Sequence, residues 1–171
     1  MSNQFKQMTS EVQEFSSKMT SINSTRLPAV FKKINYSKLP KNFTLLDYGC
    51  GRYPQIIHNF IKSKGGVYVG YDKYWMNEEA NKAALNCFPD IIVCSNVLCV
   101  IQENKIIMEI VAKLLSYGKP VVISVYEGNK SWIGKPTTKG YQRNQTLDAY
   151  CLHHSLITYH GVITNDKSIV L

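Results

Sequence analysis

Four short apolar runs recur along the middle of this 171-residue chain: FTLLDYG (43–49), VYVGYD (67–72), PDIIVCSNVLCVI (89–101) and PVVISVYEG (120–128). A helical stretch separates each from the next. IIHNFIKSKG places Ile56, Ile57, Phe60 and Ile61 on one face before stopping at Gly65 and Gly66; residues 77–86 read as a polar helix; and ENKIIMEIVAKLLSYG (103–118) is amphipathic, with Ile106, Ile107, Ile110, Val111, Leu114 and Leu115 inward. Strands joined by helical crossovers run parallel, and a parallel sheet must be covered on both faces. The expected fold is therefore α/β: an open, mostly parallel sheet with helices on both faces. At this length the chain builds one substantial core rather than two.

The flanks read differently. Met8, Val12, Phe15, Met19 and Ile22 recur at helical steps behind a Ser10–Gln13 capping box, and a second helical stretch follows Pro28 around Ala29–Ile34. Residues 1–42 are expected to form a helical arm packed on the core, and residues 43–171 the domain proper. GNKSWIGKPTTKGYQRNQ (128–145) is a long polar loop, a length that usually signals binding. The tail, LITYHGVITNDKSIVL, reads as a short antiparallel hairpin at the sheet edge, turning at Asn165 and Asp166.

Composition narrows the setting. The formal charge is +8, yet only 19% of residues are charged, and +5 of the excess lies in residues 1–42. Five cysteines, odd in number and without a CxxC pair, point to reduced, buried thiols in an intracellular protein. No apolar run reaches the roughly 18 residues needed to cross a bilayer, and MSNQFKQMTS lacks signal-peptide features. A cytoplasmic protein without a membrane partner is expected.

In such a sheet, ligands bind beyond the C-terminal strand ends, where the first strand hands over to its helix. Here that turn is DYGCGRYP (47–54). Gly49 and Gly51 allow a tight turn and a close backbone approach, and Asp47 offers a carboxylate to a cationic amino group. Pro54 stands where a dinucleotide fingerprint needs glycine, and no GKS or GKT follows, so a polyphosphate cradle is disfavoured. Asp72 closes the second strand, where an acid accepts ribose hydroxyls. Together the two acids suit a zwitterionic nucleoside.

LLDYGCG resembles the first motif of the class I S-adenosylmethionine-dependent methyltransferases, and VYVGYD resembles their second strand with its ribose-binding acid. The resemblance covers roughly residues 43–126 and implies a Rossmann-like fold, S-adenosyl-L-methionine as cofactor and S-adenosyl-L-homocysteine as product. It further implies a cofactor site made by Asp47, Tyr48, Gly49, Cys50, Gly51, Asp72 and Lys73, with Cys94, Ser95, Asn96 and Val97 from the DIIVCSNV strand. DYGCGRYP, YDKYW, CSNVLCVI, SVYEG and GYQRNQ also look like small phage and bacterial methyltransferase-like proteins and, more distantly, methyltransferase-like proteins associated with DNA phosphorothioation. Against the broad family pattern, only about 17 residues separate Asp72 from Asp90, so the third strand and its adenine-contacting acid are abbreviated or lost, leaving Glu78, Glu79, Asn81 or Asn86 as substitutes.

Methyl transfer needs alignment more than covalent help. The candidates for orienting an acceptor are Asn96, Tyr126 and Glu127 at strand tips, with Trp132, Lys139, Tyr141, Gln142, Arg143 and Asn144 in the late loop as substrate contacts. The basic and aromatic alternation of that loop favours a nucleic-acid or nucleotide-like acceptor over a small molecule. However, the Asp/Asn-Pro-Pro-aromatic signature of amino-DNA methylases is absent, and SNVL stands in its place. His153 and His154 are adjacent without a carboxylate cluster, so no metal is expected. Competing readings are a non-catalytic or regulatory cofactor-binding protein, an aminocarboxypropyl transferase, and a chain acting with a partner subunit or as a homodimer.

Overall fold

The structure, a computed structural model, describes residues 12–20, 26–152 and 168–170. Its centre is a five-stranded sheet built from β1 (Thr44–Tyr48), β2 (Val67–Tyr71), β3 (Ile91–Ser95), β4 (Val121–Ser124) and β7 (Ser168–Val170), in the order β2-β1-β3-β4-β7. The first four strands are mutually parallel and β7 runs antiparallel to β4, pairing Ile123 with Ile169. The α/β expectation holds.

The sheet is covered as a parallel sheet must be. On one face, α2 (Gln55–Ser63) and the short α1 (Ala29–Lys33) bury Ile57, Ile61, Val30 and Phe31 against Leu45, Ile91, Val93 and Val122. On the other, α4 (Asn104–Leu115) sets Ile107, Val111 and Leu114 against Leu46, Ile92, Val121 and Ile123. Alternate residues of each strand thus enter opposite cores. The polar helix α3 (Glu78–Leu85) is capped by Asn77, whose Oδ1 accepts from the Ala80 N–H at 2.7 Å, and packs beside β2. Among the described residues no strand lies outside β2, and α3 takes up the span between Asp72 and Asp90.

Two segments differ from the sequence pattern. Within residues 12–20, helical structure is confined to a single 3-10 turn at Lys18–Thr20, and Val12 and Met19 face solvent. Gln13, Ser16 and Ser17 spend their side chains on local and inter-element hydrogen bonds, which compete with helix formation. The rest of that predicted helix lies outside the described residues. Inside the long loop, β5 (Lys135–Thr137) and β6 (Gly140–Gln142) form a tight antiparallel hairpin, followed by α5 (Leu147–Leu152). The predicted tail hairpin falls mostly outside the described residues, apart from β7. No described helix is long and apolar enough to cross a membrane.

Candidate functional site

β1 lies between β2 and β3, so the chain leaves β1 to one side and returns across it to the other. Crossovers on opposite sides leave a crevice at the C-terminal ends of β1 and β3. A cavity of about 260 Å³ opens there, lined from the β1 turn by Gly49, Cys50 and Gly51 and from the β3 tip by Ser95, Asn96 and Val97.

The β1 turn is shaped by two left-handed glycines, Gly49 (φ +86°) and Gly51 (φ +72°). The N–H groups of Gly49 and Cys50 both donate to the Tyr71 carbonyl, at 2.7 and 2.9 Å, fastening the turn to β2. A Cβ on Gly49 would overlap the Val97 side chain, so glycine is required by contact as well as by conformation. At the β3 tip Asn96 is also left-handed (φ +58°), held by its N–H donating to the Ser124 carbonyl at 2.8 Å, and it lines the cavity. The Ser124 hydroxyl lies 3.0 Å from that of Ser95.

The two acids take different places. Asp72 is buried and lines the cavity; its Oδ2 accepts from the Gly51 N–H at 2.8 Å, and its Oδ1 from those of Tyr74 (2.8 Å) and Trp75 (3.1 Å). Three of the roughly four acceptor positions of a carboxylate are thereby filled by backbone, leaving about one for a ligand. Asp47 is not in the cavity wall. It lies beneath the turn, 2% exposed, accepting from the Tyr68 hydroxyl at 2.8 Å. Burial raises its carboxyl to about 7, with the Tyr68 hydrogen bond opposing and the Asp72 charge adding to the rise.

The other predicted cofactor residues divide in the same way. Tyr48 packs against Tyr71 with ring centres 4.5 Å apart and planes tilted by 31°, Cys94 is wholly buried in the core, and Lys73 is exposed, its ammonium over the Tyr74 ring; none lines the cavity. Burial pushes the Cys50 thiol up to about 12 and that of Cys99 up to about 11, so both are protonated, unreactive wall groups near neutral pH.

Of the predicted orienting residues, Asn96 and the exposed Tyr126 line the cavity. Glu127 does not: its Oε1 accepts the Leu147 N–H at the start of α5, and its Oε2 pairs with Lys130 at 3.0 Å. From the late loop only Gln142 reaches the wall, anchored by its Nε2 donating to the Tyr126 carbonyl at 3.1 Å. Arg143 is buried and donates to the carbonyls of Ile101 and Gln102, to Asn104 Oδ1 and to Gln145 Oε1. Asn144 is buried, left-handed, and donates to the Ile133 carbonyl. Tyr141 stacks on Phe15, while Trp132 and Lys139 are exposed and outside the cavity wall.

Six wall residues carried no functional assignment from sequence: Cys99 and Val100 behind the β3 tip, and a group of four, Ser17, Thr20, Tyr74 and Trp75. The four form one arrangement. Residues 13–20 lie across the cavity as a strap, tied to the loop after β2 by Tyr74 Oη donating to Gln13 Oε1 (2.7 Å) and by Trp75 Nε1 donating to the Lys18 carbonyl (3.0 Å). Between these two ties, the Phe15–Tyr141 stack joins the strap to the hairpin. Lys18 and Arg52 both approach the Trp75 ring, at 5.2 and 5.0 Å from its centre. Tyr74 and Trp75 of YDKYW, next to Lys73, were the available signal.

Among the described residues no three His, Cys, Asp or Glu side chains cluster to hold a metal ion. No protein-family model matches the chain, and no curated protein matches its sequence. The architecture is Rossmann-like, of the general type that binds S-adenosylmethionine in many methyltransferases.

Proposed function

We propose that this chain is an S-adenosyl-L-methionine-dependent methyltransferase, with residues 43–171 as its cofactor domain and residues 1–42 as an arm over it. The observation that carries the reading is the charge of the cavity wall. Asp72 is the only charged residue among the described wall residues; Lys18 and Arg52 reach the Trp75 ring but do not line the cavity. A phosphate-bearing cofactor would meet the wrong sign there, whereas a nucleoside bearing a sulfonium and an ammonium meets the right one. The glycine turn lets backbone approach such a ligand closely.

When bound, S-adenosylmethionine supplies an electrophilic methyl carbon. The chain's own work is to bind, align and exclude water. Asp72 holds a ribose hydroxyl at its remaining acceptor position, and Trp75 with the strap covers that end. At the other end Asn96, Tyr126 and Gln142 form a neutral, hydrogen-bonding wall suited to orienting an uncharged acceptor atom in line with the methyl carbon. A base edge or a similar planar polar group fits those donors and acceptors, which supports a nucleotide-like or small polar acceptor. The exposed Trp132 and Lys139 are available for the remainder of a larger one.

The test is transfer of a labelled methyl group by the full chain to a panel of nucleosides, oligonucleotides and small polar heterocycles. Label in an acceptor, lost in Asn96→Ala with cofactor binding retained, is the expected result. Tight cofactor binding with no transfer to any acceptor would favour a binding or regulatory protein instead.

A further inference from the structure

Among the described residues β2 is the outer strand of the sheet, paired with β1 on one side only, so the backbone at its tip has no strand on its outer side. Asn81, one turn into α3, takes that place. Its Oδ1 accepts from the Asp72 N–H at 3.1 Å, and its Nδ2 donates to the Asp72 carbonyl at 2.9 Å and to the Met76 carbonyl at 3.3 Å. One carboxamide thus meets both backbone groups of Asp72, as a paired strand would, with the Met76 N–H donating to the same carbonyl at 3.3 Å. The Asn77 cap and the Asn81 N–H donating to the Asn77 carbonyl at 2.9 Å fix where the helix presents this amide. Asn81 is not in the cavity wall; it faces the adjoining groove.

We propose that Asn81 is a positioning residue: by clamping the Asp72 backbone it sets the carboxylate that organises Gly51, Tyr74 and Trp75, and so controls ligand binding at a site it does not touch. The ligand half of this inference rests on the cofactor reading above; the clamp does not. Only a side chain carrying a donor and an acceptor on one carbon, at this reach, closes both bonds. Aspartate offers no donor to the two carbonyls, and glutamine is one methylene too long.

Amide hydrogen exchange of the full chain tests the clamp without any ligand. In Asn81→Ala the amides of Asp72, Tyr74 and Trp75 are expected to exchange about tenfold faster or more, while that of Ile92 in the sheet centre keeps its protection. Asn81→Asp, close in shape, serves as the second variant should the first unfold. Unchanged exchange at all three amides overturns the proposal. Calorimetry with S-adenosylhomocysteine then tests the consequence: Asn81→Ala lowers affinity about tenfold, and the loss disappears when Asp72 is already alanine. Additive losses in that double-mutant cycle would overturn the positioning role. Faster exchange in a chain whose wild type does not bind the nucleoside would leave the clamp standing and sink the cofactor reading alone.

Discussion

The Gly51 N–H donates to Oδ2 of Asp72 across 2.8 Å, joining the turn after β1 to the tip of β2. The same carboxylate also receives Tyr74 and Trp75, so one buried side chain fixes two walls of the cavity. Asp72 is therefore as much an organiser of loops as a ligand-binding group. Asp72→Ala should cost about 3 kcal/mol of stability by leaving three N–H groups without their charged acceptor. Urea denaturation checks this, and a loss below about 0.5 kcal/mol would contradict the network.

Gly49 provides a test of the close approach between the β1 turn and the β3 tip. Gly49→Ala places a side chain in left-handed backbone and against Val97, with an expected cost of about 2 to 4 kcal/mol. Val97→Ala in the same chain should recover part of that loss. Equal stability of the single and double variants would show that the contact does not matter.

Asp47 should leave a signature in the pH dependence of stability. Its carboxyl titrates at about 7 in the folded chain against about 4 when unfolded, so between these values the folded state keeps a proton that the unfolded state has released. This group's contribution is complete below about pH 4 and is lost as pH rises through about 7. Denaturant midpoints of the wild type should therefore fall relative to Asp47→Asn over that window. Parallel pH profiles for the two proteins would contradict the shift.

Arg143 separates a structural role from a substrate role. Its guanidinium serves four acceptors in the interior, a fork that lysine cannot reproduce. Arg143→Lys should lose about 2 kcal/mol of stability while affinity for S-adenosylhomocysteine stays within about twofold. Weaker nucleoside binding at unchanged stability would return Arg143 to the binding site.

The strap gives an optical readout. With Trp132 replaced by phenylalanine, Trp75 is the sole tryptophan, and it sits in the cavity wall. A nucleoside entering beside Asp72 should change its emission, and Phe15→Ala, which removes the stack on Tyr141, should speed ligand release. Emission blind to saturating ligand would place the ligand elsewhere.

The sheet was legible because its signals are local: Leu45, Leu46, Ile91, Ile92, Val121 and Val122 form continuous apolar strands, and Gly49 and Gly51 mark the turn after β1 where the backbone goes left-handed. The site was legible to the same depth. Gly49, Gly51, Asp72 and Asn96 sit at strand ends, and strand ends converge in a parallel sheet whatever the loops do. The destination of side chains in the late loop was not, because it depends on distant partners. Arg143 is drawn inward by the carbonyls of Ile101 and Gln102 about forty positions away, and Glu127 by the first turn of α5. The strap was hidden for the opposite reason. Apolar residues at helical steps read as a helix face, but Phe15 is held by Tyr141 and Gln13 by Tyr74, contacts that no periodicity encodes.

The most direct measurement is a calorimetric titration of the full chain with S-adenosylhomocysteine, set beside a dinucleotide of the nicotinamide type. The cavity charge predicts saturable one-to-one binding of the nucleoside, weakened tenfold or more in Asp72→Ala, and no binding of the diphosphate. A chain that binds the diphosphate in preference, or that binds neither, would contradict the account.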